Sequence, residues 1–127
     1  MPMPDEYVIV LSTLPPGGET ARLAGILVEE RLAACVNLLP AMTSTYRWAG
    51  AVETATEHQV VVKTTRARVA ALWERLRALH PYDVPEFVVL PIVDGNDAYL
   101  KWIGESTGQE APTEVPEGSN RDPGSET

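Results

Sequence analysis

The chain has 127 residues, room for one domain and too little for two well-buried cores. Hydrophobic residues make up 44% and charged residues 22%, which sets aside a membrane protein and a wholly disordered one. The formal net charge is −8 with no stripe of Lys and Arg, so the cationic footprint needed to bind a nucleic-acid backbone is missing.

Tyr7-Val8-Ile9-Val10-Leu11-Ser12-Thr13 is a largely apolar run, the pattern of a strand central in a sheet or covered on both faces. Pro15-Pro16-Gly17-Gly18 breaks it. Between Glu19 and Leu32 the residues Leu23, Ala24, Leu27 and Val28 recur at helical spacing, with Arg22, Glu29, Glu30 and Arg31 for the wet side. Two β-type runs, Cys35–Leu39 and Thr43–Trp48, flank Pro40, which suits a bulge or bend. After a turn at Ala49-Gly50-Ala51, a third strand runs from Val52 to Thr65. The two arms form a hairpin of roughly a dozen residues each, against a usual strand of about 5–6. One domain cannot cover that length, and a projecting open edge is normally paired, which points to an oligomer.

A second helix is expected to start at Thr64 or Thr65, either able to act as N-cap. Val69, Leu72, Trp73, Leu76 and Leu79 form its apolar stripe, and His80-Pro81 ends it. Glu86 to Val93 reads as a short strand, Asp94-Gly95-Asn96-Asp97 as a turn and cap, and Ala98 to Ser106 as a last helix. The order β-α-β-β-α-β plus a terminal helix predicts an α+β, ferredoxin-like domain over residues 1–107, with a four-stranded antiparallel sheet and two helices on one face. Residues 108–127 carry five acids and one base among small polar residues, Gly and Pro, and are expected to be a disordered acidic tail.

No nucleophile elbow, phosphate loop, dinucleotide fingerprint, zincin or calcium-loop pattern occurs, so no enzyme class is indicated. The single cysteine, Cys35, excludes an internal disulfide framework, and the N-terminus lacks a basic segment followed by an apolar one; a cytoplasmic location is expected. Cys35 opens an apolar strand and also reads as a small buried hydrophobe. His58 falls in a polar half-strand, where a solvated imidazole is expected. His80 sits at a helix C-terminus, where the macrodipole favours a protonated ring. The stretch His80-Pro81-Tyr82-Asp83-Val84-Pro85-Glu86 is a Pro-stiffened connection presenting an imidazole, a phenol and two carboxylates, a common site-building arrangement. Trp48 near the hairpin tip is costly to leave wet and suggests burial against a neighbour. Glu57 and Lys63 share a strand face by parity.

Leu32-Ala33-Ala34-Cys35-Val36-Asn37, Tyr46-Arg47-Trp48-Ala49-Gly50, Val62-Lys63-Thr64-Thr65, His80-Pro81-Tyr82-Asp83-Val84-Pro85-Glu86 and Tyr99-Leu100-Lys101-Trp102 stand in the order and spacing of the CutA divalent-cation tolerance proteins, so residues 6–106 resemble that family. The resemblance implies a homotrimer in which long hairpins extend across neighbouring subunits, a role in metal tolerance, and copper binding by some members. The shape also resembles the PII signalling trimers. Carried over residue by residue, it implies metal ligands at His80 and Cys35, assisted by carboxylates such as Glu86, and an intersubunit cleft near Trp48, Glu57, Lys63 and Tyr82. Leu79, Ser12 and Arg75 stand where the copper-binding pattern has a second histidine and two further cysteines. The leading expectation is a non-enzymatic homotrimer that binds Cu2+ or another divalent cation weakly and carries no organic cofactor. The alternative is a PII-like regulatory module binding a small anion or a protein partner, with Lys63 as its cation.

Overall fold

A computed structural model describes residues 6–108. Its elements are β1 (Tyr7–Leu14), α1 (Gly18–Glu29), β2 (Cys35–Leu38), β3 (Met42–Trp48), β4 (Ala51–Thr65), α2 (Val69–Leu79), β5 (Val88–Pro91) and α3 (Asp97–Ser106). The domain expected over 1–107 thus lies mostly within the described residues, whereas the tail expected over 108–127 lies outside them beyond residue 108.

The antiparallel sheet runs β2-β4-β1-β5, with β3 pairing farther along β4. That is the ferredoxin-like order, with the second of its four strands divided into β2 and β3. The division falls at Pro40. Leu38 pairs with Val60 and Met42 with Glu57, so three residues of one arm oppose two of the other. The extra residue makes a bulge, as a proline without an N–H requires. His58 Nδ1 is 2.7 Å from the Leu39 carbonyl and ties this bulge down, so His58 is not the free solvated imidazole expected from its polar neighbours.

Alternation along β1 buries Val8, Val10, Ser12 and Leu14, and along β4 Val60, Val62 and Thr64. Leu23 and Leu27 of α1 and Leu72 and Leu76 of α2 close over that face and complete the core. At the end of α1, Arg31 adopts φ 61°, and the N–H groups of Arg31 and Leu32 donate to the Val28 and Leu27 carbonyls, a Schellman closure without glycine. Arg75 then clamps α2 to α1 through two bonds to the Glu30 carboxylate, at 2.9 and 2.8 Å.

Neither Thr64 nor Thr65 caps α2. Thr64 remains in β4, where its buried hydroxyl donates to the Leu32 carbonyl, and a 3-10 turn over Arg66–Arg68 precedes the helix. β5 is also shorter than the expected Glu86–Val93, since only Val88–Pro91 pair with β1. α3 begins as expected, with Asn96 Oδ1 accepting the Tyr99 N–H at 2.9 Å. It lies against the opposite face of the sheet from α1 and α2. Gly104 there lets the helix approach the Tyr7 ring, which a Cβ would meet at 3.6 Å.

Candidate functional site

The face of the hairpin that continues the open side of the sheet meets the loop over residues 80–86. Register pairs Tyr46 with Glu53, Trp48 with Ala51 and Met42 with Glu57, so Tyr46, Trp48, Glu53 and Glu57 share this face. Facing them, the loop brings Tyr82, Asp83, Val84, Pro85 and Glu86 to a cleft of about 630 Å3. Four carboxylates and one guanidinium, that of Arg47, line it.

His80 anchors the loop from behind. Its Nε2 lies 2.7 Å from the Thr13 carbonyl, and its Nδ1 accepts the Tyr82 N–H at 3.1 Å. Nε2 must therefore carry the proton and Nδ1 the lone pair, which defines a neutral ring. Burial pushes the imidazole below its ordinary 6.5, outweighing the Thr13 carbonyl and the Glu57 charge, which act in the other direction. This replaces the protonated, helix-capping imidazole expected from position alone. The ring also packs at 4.8 Å on Tyr82. The Tyr82 hydroxyl in turn donates to Glu57 Oε2 at 3.2 Å, and burial, followed by the Glu57 charge, pushes that phenol above its usual 10. Gln59, not anticipated as a site residue, joins strand to loop by donating to the Ser12 carbonyl at 2.7 Å and to Glu86 Oε2 at 3.2 Å. Its strand parity with Glu57 was the signal that could have found it.

Trp48, Glu57, Tyr82 and Glu86 are thus brought around one cleft. Lys63 and Cys35 are not. They pair with each other in register at the other end of β4, about 20 Å from Glu57 at the rise of an extended strand. Lys63 Nζ stands 5.8 Å from the Tyr99 ring centroid, and Cys35 Sγ lies 3.8 Å from Asn37 Oδ1. Within one chain His80, Cys35 and Glu86 form no ligand set: Cys35 is remote, and both His80 nitrogens are engaged. Among the described residues no three His, Cys, Asp or Glu side chains come together to hold a metal ion.

The CutA1 divalent ion tolerance family model matches residues 8–106, nearly all of the described chain. The chain belongs to the CutA1 family. Its similarity to the "Divalent-cation tolerance protein CutA" of Thermus thermophilus is 52% identity over 79% of this chain and 97% of that protein. It is 44% identical to "Protein CutA 1, chloroplastic" of Oryza sativa over 79% of this chain, but spans only 56% of that longer protein. The solved Thermus thermophilus structure, a divalent cation tolerance protein, superposes with a TM-score of 0.78 over 80% of this chain and 99% of that one. CutA1 membership accounts for the α+β fold. No helix among the described residues is long and apolar enough to cross a membrane.

Proposed function

We propose that this CutA1 chain serves divalent-cation tolerance as a non-catalytic homotrimer in the cytoplasm, holding Cu2+ or a similar ion weakly through donors gathered from neighbouring copies. The observation that carries this reading is the unfinished sheet. β4 pairs with β1 only from His58 onward, so along Ala51–Glu57 one edge has no partner strand among the described residues, over about 23 Å. On the adjoining face Val88 and Leu90 are exposed, and Trp48 at the hairpin tip is 54% exposed. Copies arranged about a symmetry axis cover such an edge and face, and bring donors such as Cys35, Glu86 and Glu57 from more than one chain within reach of each other. Imidazole, thiolate and carboxylate donors suit Cu2+ and Zn2+. The anion-binding alternative draws no support from a cleft rich in carboxylates with Lys63 elsewhere.

Sedimentation equilibrium combined with calorimetric Cu2+ titration tests both parts. The expected result is three chains per particle, with a weak copper isotherm diminished several-fold in Glu86→Gln and Cys35→Ser. A monomer removes the assembly, and a titration no different from buffer removes the metal.

A further inference from the structure

The cleft between hairpin and loop has walls that a bare metal ion does not use. Three aromatic rings, Tyr46, Trp48 and Tyr82, stand around about 630 Å3 beside the carboxylates of Glu53, Glu57 and Glu86. Glu57 is only 8% exposed and accepts one hydrogen bond, from the uncharged Tyr82 phenol. The ion pairs among the described residues, Arg75 with Glu30, Arg77 with Glu74 and Lys101 with Glu105, all lie elsewhere. A buried carboxylate without a cation is costly, and the neighbouring carboxylates add repulsion rather than relief. The compensating charge therefore comes from a bound species.

A divalent ion requires several oxygens converging at about 2.0–2.6 Å, and no three donors converge among the described residues. An organic cation makes no such demand. Its charge is spread over alkyl groups that pack on aromatic faces, where the ring quadrupole attracts it, while a carboxylate at longer range supplies the counter-charge. We infer that this cleft binds a small organic ammonium ion against the Trp48 and Tyr46 rings, with Glu57 as its counter-ion. The ligand class is set by the pairing of a buried, cation-less carboxylate with exposed aromatic walls.

The test is calorimetric titration of the full chain in its native assembly, with choline, with putrescine, and with the neutral alcohol in which carbon replaces the choline nitrogen. EDTA is present throughout, so the result is independent of copper binding. At least one of the two ammonium ions binds and the neutral isostere does not; choline alone marks a quaternary ligand, and putrescine alone a primary one. Trp48→Ala, at an exposed position, raises Kd about tenfold, as does Glu57→Gln, which keeps an acceptor for Tyr82. Absence of binding by both ammonium ions, equal binding of the isostere, or affinities unchanged in both variants overturns the assignment.

Discussion

Ser12 is fully buried on the core face of β1, opposite Val60, and its Oγ has no hydrogen-bond partner among the described residues. Burying a hydroxyl unpaired costs about 1–3 kcal/mol, so Ser12→Ala is expected to stabilise the protein by about 1 kcal/mol after the small loss of packing. Urea denaturation measures this, and a lower midpoint would mean that the hydroxyl holds a bound water. His80 is the opposite case, a buried polar ring with both nitrogens satisfied. Because its folded pKa lies below the unfolded value of 6.5, the unfolded chain takes up the proton first as pH falls. Its contribution is therefore complete above about pH 6.5 and is lost as pH falls toward the folded value. Denaturation midpoints between about pH 7 and 5.5 should decline in the wild type and stay flatter in His80→Gln. A slope shared equally by both proteins removes His80 as its source. The sequence placed His80 at a helix terminus but could not show that the Thr13 carbonyl, 67 residues away, would claim its proton.

β1, α1, the bulge at Pro40 and the Asn96 cap were legible because each rests on local pattern: apolar periodicity, a missing N–H, a short side chain reaching its own backbone. The start of α2 was not. Thr64 looks like a cap to any local rule, yet its alternation with Val60 and Val62 keeps it in the sheet, where Leu32 takes its hydroxyl. The hairpin turn is again local. Ala49 and Gly50 both have positive φ, 51° and 81°, the requirement of a two-residue turn matched to strand twist. A Cβ on Gly50 would meet nothing within 4 Å, so Gly50→Ala tests conformation alone and should destabilise by about 1 kcal/mol. An unchanged thermal midpoint would show that the turn relaxes to another geometry.

Across the whole molecule, α1 and α2 cover one face of the sheet and α3 covers only part of the other. Ile9 pairs opposite Lys63 and Leu90, and Leu11 opposite Val61 and Val88, so an apolar band crosses the face that α3 leaves open. The strand lengths written in the sequence already exceed what one chain can cover, and the open band lies beside the unpaired edge of β4. The order of elements, the core positions and the family were readable from residue types and spacing, because periodicity and turn chemistry act over a few residues at a time. Which polar groups meet was settled by register across the sheet, where one strand's parity and another's bulge bring distant residues face to face. That is why Trp48, Glu57, Tyr82 and Glu86 share a cleft, while Lys63, six residues along the same strand face, stands over Tyr99 instead.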